Sequence, residues 1–219
     1  MATSTKRGLN VELLPFDDLS ASGGSWRLEP DNQEEWAWRK DAFAPHELDA
    51  IIRIANSCEM TRGRLSHGSW ISGQKPEAQF RNADVQFLFP NGLTSWIFQR
   101  LTMVVNEMNE EFFGFDLNGF DQGLQLTRYS SEDEQHYDWH IDRGMGTGNR
   151  KLSLTLQLSD PDDYEGGELQ LRFGKEPMTV SKERGKITFF PSYTMHRVTP
   201  VTKGTRYSLV AWVSGPAFK

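Results

Sequence analysis

The sequence predicts a mostly β protein: an antiparallel double-stranded β-helix, or jelly roll, with N-terminal helices packed on one of its sheets. Three observations predict it. Apolar residues follow a helical period in two early segments and in none later. After Gly114 the period changes from about 3.6 to 2. Beyond that point short alternating runs succeed one another with turn clusters and no helix between them, the spacing of a sandwich or jelly roll rather than of a parallel sheet. With 219 residues the chain can bury a sizeable core as one domain. We expect residues 34–219 to form it, with helical support over 45–114 and the jelly-roll core over about 115–215.

Residues 1–33 are polar and mixed, include the ASGGS stretch and show no sustained period, so they read as an N-terminal arm or an added edge. From Pro45 the run PHELDAIIRIANSC sets Leu48, Ile51, Ile52 and Ala55 at helical spacing, with proline suited to the first turn. DVQFLFP reads as a short strand closed by Pro90. The segment TSWIFQRLTMVVNEMNEEFFG then puts Ile97, Leu101, Val104, Met108 and Phe112 on one stripe, begins after Thr94 or Ser95 and stops at Gly114. Such a stripe is far more often core than a cofactor box.

KLSLTLQLS alternates Leu152, Leu154, Leu156 and Leu158 with Ser153, Thr155, Gln157 and Ser159, the pattern of a half-buried strand. ELQLRF, KITFFP and RYSLVAWV follow, separated by DPDDYEGG and VSKERG. GGEL at 166–169 is a turn feeding a strand. GMGTG at 144–148 has no helix after it to supply a positive N-terminus, so it reads as a loop over the site mouth rather than a phosphate loop. The acidic runs SEDE and DPDD read as solvated turns.

Composition narrows the function. No apolar run is long enough to span a bilayer, mean hydropathy is negative, and MATSTKRGLN lacks the apolar core of a signal peptide; a cytoplasmic, non-membrane protein is the expectation. The single cysteine, Cys58, falls in a helical stretch with no partner for an internal disulfide and reads as structural. A formal charge of −6 argues against a broad nucleic-acid surface. Nothing in the sequence assigns an oligomeric state.

QHYDWHIDRG, residues 135–144, spells His-x-Asp twice. On an extended strand a His and an Asp two apart point to one face, with Cα atoms roughly 6.5–7 Å apart, and can close on one ion. His136, Asp138, His140 and Asp142 would all share that face, so spacing alone does not choose between the copies. One later histidine is available as a third ligand: His196 in FFPSYTMHRVTP, where a strand ends at Pro191 and a loop leads toward the last strand. Two histidines and one carboxylate suit a non-haem Fe(II) oxygenase, whose open positions take a bidentate co-substrate and dioxygen. A dicarboxylate such as 2-oxoglutarate then needs a cation at its far end. Arg206, ten residues after His196, can pair with it through two parallel hydrogen bonds, and Tyr129, eleven residues before His140, offers a phenol to the same end. His46 reads as a helix-start surface residue and His67 as a loop residue.

RYSSEDEQHYDWHID, SDPDDYEGGELQL and FFPSYTMHRVTPVTKGTRYSLVAWV together resemble the prolyl/lysyl hydroxylase domain (PKHD) type of Fe(II)- and 2-oxoglutarate-dependent dioxygenases, relatives of the prolyl 4-hydroxylases, over roughly residues 120–215. In that family an aromatic residue stands three positions before the iron-binding histidine. Tyr137 stands so before His140, whereas Asp133 holds that place before His136. The resemblance therefore implies His140, Asp142 and His196 as iron ligands, Arg206 with Tyr129 at the far carboxylate of 2-oxoglutarate, and Tyr137, Arg150 and Trp212 near the substrate. His136 and Asp138 are left a supporting or rim position. It further implies Fe(II), 2-oxoglutarate and O2, with ascorbate to return stray Fe(III) to Fe(II), and hydroxylation of an unactivated C–H bond with release of succinate and CO2.

A prolyl residue in a protein or peptide is the first choice of substrate, by family analogy; a lysyl residue, a free amino acid or another small metabolite stays open. Two rivals come from other classes. Zn²⁺ on the same three ligands would make a hydrolase or lyase, leaving Arg206 no dicarboxylate to bind. A non-catalytic jelly-roll binding module would not need His140, Asp142, His196 and Arg206 intact.

Overall fold

The computed structural model describes residues 34–57, 59–63, 80–144 and 147–217; the expected arm over 1–33, Cys58, His67 and part of the GMGTG loop lie outside them. After a short strand, β1 (Ala37–Arg39), helix α1 (Pro45–Ser57) starts at the expected proline and buries Leu48, Ile51 and Ala55. Its first turn is closed by Glu47, whose carboxylate accepts the Ala44 N–H at 2.8 Å, the reach-back of a capping box. The same carboxylate pairs with Arg100 at 3.0 Å and so ties α1 to the second helix, α2 (Ser95–Met108).

Helix α2 does not run straight to Gly114. Its end widens into a π turn over Asn109–Phe113 before Gly114, at φ +62°, stops it. A π turn takes one more residue than an α turn. The buried stripe Ile97, Leu101, Val104, Met108 therefore passes to Phe113, and the expected Phe112 is only half-buried.

Two antiparallel sheets make up the double-sheet core. The larger runs in the order β1, β11 (Ile187–Pro191), β7 (Arg150–Gln157), β13 (Val201–Ser214), β5 (Leu124–Ser130), β4 (Asp84–Leu88) and β2 (Thr61–Arg62), with β8 (Tyr164–Gly166) also paired to β13. The smaller runs β10 (Met178–Thr179), β9 (Leu169–Arg172), β12 (Met195–Val198), β6 (His136–His140) and β3 (Arg81–Asn82). Leucines 152, 154, 156 and 158 join Ile51, Ile97 and Leu101 of the helices in one apolar cluster, so the helices cover the outer face of the larger sheet, as expected. Tyr129 and Phe190 of the larger sheet meet Leu169, Leu171 and Val198 of the smaller one in a second cluster between the sheets.

Three expectations need correction. Strand β7 is not half-buried: Ser153, Thr155 and Gln157 are 0%, 8% and 5% exposed, because their face looks into the gap between the sheets rather than to water. His196 does not lie in a loop but on β12, a strand of four residues between two prolines, too short to show a period. The last strand begins at Val201, five residues before Arg206.

The GGEL turn joins β8 to β9 as expected, and both its glycines take positive φ, +73° at Gly166 and +58° at Gly167. A Cβ on Gly166 would stand 2.1 Å from the Pro200 carbonyl oxygen, and one on Gly167 would stand 3.1 Å from Cδ of Arg206. The glycines thus allow the chain to pass beside the buried arginine. Among the described residues no helix is long and apolar enough to cross a membrane.

Leu154 is fully buried in the cluster shared by β7 and the helices. Its truncation, Leu154→Ala, is expected to cost about 2–5 kcal/mol, read as a lowered urea midpoint with unchanged slope; an unshifted midpoint would contradict the two-sided burial of β7.

Candidate active site

Strand β6 carries both His-x-Asp copies, and a bulge separates them. His196 pairs with His140 and Val198 with Tyr137, so between these points two residues of β6, Asp138 and Trp139, oppose one of β12, Arg197. The extra residue reverses the alternation. Tyr137 and His140 thereby share the inner face, and their rings stack at 3.5 Å with 15° between planes. His136 pairs with the half-buried Asn82, and its Nδ1 lies 2.9 Å from the Glu134 carbonyl oxygen.

His140, Asp142 and His196 each offer a ligand atom within 4.8 Å of the others. Nε2 of His140 lies 3.8 Å from Oδ1 of Asp142, and Nε2 of His196 lies 3.5 Å from its Oδ2. The other ring nitrogens are committed: Nδ1 of His140 is 2.7 Å from the Asp138 carbonyl and Nδ1 of His196 is 2.9 Å from that of Thr194. A carbonyl only accepts, so each Nδ1 carries a proton and each Nε2 is the nitrogen turned toward the carboxylate.

The carboxylate is fixed as firmly. The Asp142 N–H donates to the Ser192 carbonyl at 3.0 Å, and Ser153 Oγ donates to Asp142 Oδ2 at 2.7 Å. Ser153 has a single proton, so Ser192 is the donor in the 2.9 Å contact between the two hydroxyls. Burial drives the His140 ring down to about 3, His196 beside it pushes the same way, and Asp142 and the Asp138 carbonyl oppose both. At Asp142 burial works to raise the carboxyl, but the two imidazoles, Arg150 and the Ser153 hydroxyl outweigh it and hold it below the ordinary carboxylate range. The set is a neutral His140, a second imidazole at His196 and one carboxylate.

Farther along the same inter-sheet gap lies Arg206, 2% exposed and register partner of Tyr129 across β13 and β5. Its Nε donates to Gln157 Oε1 at 3.1 Å, and its guanidinium carbon sits 5.6 Å from the centre of the Tyr129 ring. At the opposite end Arg150 lies over the Trp212 ring at 3.8 Å, donates from Nη1 to the Asp142 carbonyl at 3.2 Å and bonds Gln122 through Nη2. Arg150 Nε and Trp212 Nε1 are buried without an acceptor among the described residues. Burial also lowers the Arg150 guanidinium, against Asp142 and Tyr137, which favour its charge.

Every sequence-predicted site residue therefore lies on the inner face or at its rim. His140, Asp142 and His196 converge; Tyr137 stacks on the first of them; Arg150 bonds the Asp142 carbonyl and lies over Trp212; Arg206 and Tyr129 form the far end. His136 and Asp138 are not in the cluster. Four residues were missed: Ser153, Ser192, Gln157 and Arg81, whose Cζ lies 4.7 Å from the Tyr137 ring centre and whose Nη2 donates to Gln125 at 3.0 Å. The signal for Ser153 and Gln157 was present as the polar half of KLSLTLQLS, which was read as a solvent face.

Residues 124–214 match a family model, that of the 2OG-Fe(II) oxygenase superfamily. A PKHD-type hydroxylase of Bordetella pertussis is 32% identical over 188 residues, which cover 79% of this chain and 75% of the relative. A prolyl-4-hydroxylase from Pseudomonas putida superposes with a TM-score of 0.65 at 19% identity, over 84% of this chain and 94% of its own. A prolyl hydroxylase in complex with a hypoxia inducible factor oxygen degradation domain peptide fragment, from Trichoplax adhaerens, superposes with a TM-score of 0.67 at 14% identity, over 84% of each chain. At these identities the structural likeness bears on the fold.

Two outcomes are expected from this geometry. His140→Ala should reduce Fe(II) affinity at least tenfold by equilibrium dialysis and His136→Ala should leave it near wild type; the reverse order would transfer the site to the first copy. The second concerns pH. An unfolded His140 takes up a proton below about 6.5, whereas the folded ring resists it down to about 3. Stability of the metal-free protein should therefore fall as pH drops across that window, by up to ~1.4 kcal/mol per unit from this one group. Urea titrations of wild type and His140→Gln at pH 7, 6 and 5 test it: the variant should show the shallower fall, and parallel curves would contradict a buried neutral ring.

Proposed function

The chain belongs to the PKHD-type hydroxylases of the 2OG-Fe(II) oxygenase superfamily, and from that membership we propose that it hydroxylates a prolyl residue of a protein or peptide, with 2-oxoglutarate and O2 converted to succinate and CO2. Membership favours this oxygenase chemistry over the zinc hydrolase and over a non-catalytic module. The observation that carries the proposal is the two-ended gap between the sheets: a His-Asp-His cluster at one end and a buried guanidinium at the other.

The donor set fits Fe(II). Two Nε2 atoms and one carboxylate face a common point, and three protein ligands leave positions open for a chelating co-substrate and for dioxygen. We assign His140, Asp142 and His196 to the metal, which supplies dioxygen activation coupled to oxidative decarboxylation of the co-substrate. Ser153 and the backbone carbonyls of Asp138 and Thr194 hold the three ligands in orientation, as outer partners of metal ligands do. Arg206, pre-set by Gln157 and backed by Tyr129, takes the far carboxylate of 2-oxoglutarate in a dry environment where a charge-assisted pair is strong.

Arg150 and Trp212 are assigned to the substrate side. Each offers a buried N–H with no acceptor in the described chain, and a peptide backbone supplies carbonyls. A peptide-bound prolyl hydroxylase of like fold supports a protein or peptide over a free amino acid or other small metabolite. The proposal also includes ascorbate as the reductant of stray Fe(III), one domain over residues 34–219, and cytoplasmic residence.

Mass spectrometry of proline-containing peptides incubated aerobically with the protein, Fe(II) and 2-oxoglutarate tests the substrate. One added oxygen on proline, matched by succinate formed, is the expected result. Succinate without peptide oxidation, or oxygen found only on lysine or on a free amino acid, would overturn the prolyl assignment.

A further inference from the structure

The inner face of the larger sheet continues past Arg206. The Gln157 N–H donates to the Lys186 carbonyl at 3.0 Å on one side, and Gln157 pairs with Ser208 of β13 on the other. Arg206 and Lys186 thus flank one residue of β7, on chain segments about two strand spacings, or ~10 Å, apart. Both line one small recess, with Lys182, Thr155, Gln157 and Thr188 among its other walls.

The cleft is cationic by construction. No Asp or Glu lines it. Lys186 is 9% exposed, and its ammonium rests 4.2 Å from the centre of the Trp38 ring. Glu183, the acid that acts on Lys186, is itself paired with Lys40. Lys182 rests 4.5 Å from the centre of the Tyr164 ring, and the Tyr164 hydroxyl accepts from the Gln157 amide that also positions Arg206. Neither lysine has a carboxylate partner among the described residues. Two ammonium groups held against aromatic faces, beside a buried guanidinium and two threonines, make a focused positive potential in a low-dielectric recess, on a chain whose net charge is −6.

We propose that Lys182 and Lys186 are co-substrate-capturing residues: with Arg206 they form a three-cation seat that draws in the 2-oxoglutarate dianion by its distal carboxylate. The inference rests on the assignment of Arg206 to that carboxylate and deepens it. Arg206 sets the bound geometry through short contacts, whereas the lysines act at longer range on the rate of capture. Charge removed from a steering site slows association and leaves dissociation nearly unchanged, and the effect vanishes as salt screens it.

The test is anaerobic stopped-flow mixing of the full Fe(II)-loaded chain with 2-oxoglutarate at low and high salt, read by the absorption of the complex formed. In wild type the association rate should fall as salt rises. In Lys182→Met/Lys186→Met, which keeps the apolar stems, it should be about tenfold slower at low salt and nearly flat with salt, with iron affinity unchanged. A double variant with the rate and salt slope of wild type would overturn the capture role. If the double variant fails to fold, Lys182→Met alone and the wild-type salt slope decide the matter, and a wild-type rate indifferent to salt is equally contrary. No saturable 2-oxoglutarate binding to wild type at all would instead remove the Arg206 assignment beneath it.

Discussion

Everything in this molecule depends on burying the larger sheet on two faces of opposite character. The leucines of β7 meet the helices, and its serine, threonine and glutamine meet the gap between the sheets. A slip of one residue would exchange the faces, putting hydroxyls and an amide among leucines at a cost of roughly 1–3 kcal/mol for each polar group left unpaired. The polar face is acceptable where it is because it has partners there: Ser153 bonds Asp142 and Ser192, and Gln157 bonds Arg206 and Tyr164. Register and site are one specification. The hydrogen bonds that satisfy the inner face are those that hold the candidate ligands and the buried cation.

The smaller sheet contributes a different device. An unbroken β6 would have set His136, Asp138 and His140 side by side on one face, four potential ligands with Asp142, and no unique centre. The bulge between Tyr137 and His140 breaks that degeneracy by one residue and gives the inner face to a tyrosine and a single histidine. Pairing His140 directly with His196 then brings the two rings to 4.1 Å between centres without any loop having to hold them. Three of the groups in the cluster's support, the carbonyls of Asp138, Thr194 and Ser192, are backbone atoms, so their presence follows from chain path and not from side-chain identity.

How much of this was legible follows from which signals are local. Helix α1, the start of α2 and the alternation of β7 were legible because each repeats a period over many residues. Strand β12 was not, since its four residues lie between prolines, and the shift of the buried stripe from Phe112 to Phe113 arises from a π turn that no periodicity announces. The choice between the two His-x-Asp copies came from resemblance, because a bulge is a property of pairing with β12 and leaves no mark within β6 alone. The polar half of β7 was misread for a physical reason: alternation says that two faces differ, and it does not say that the polar one meets water. In a barrel built to hold a charged co-substrate, the polar face is interior.

That interior face also bears on co-substrate selection. Ser153, Thr155 and Gln157 stand in file along β7, with Ser153 bonded to the ligand carboxylate at one end and Gln157 to the guanidinium at the other. Four residues of extended strand span about 13 Å between Cα atoms, and a strand neither stretches nor shortens appreciably. Asp142 and Arg206 are tethered to the two ends of this span, so their separation follows the length of the strand. Under the proposed assignments, discrimination by co-substrate length is therefore a property of the sheet and not of any single side chain. On the same assignments the substrate end rests on Arg150 and Trp212, at the start of β7 and near the end of β13, and contacts there can vary without moving the register of β7. A fold of this kind keeps its co-substrate fixed while the substrate it serves is free to change.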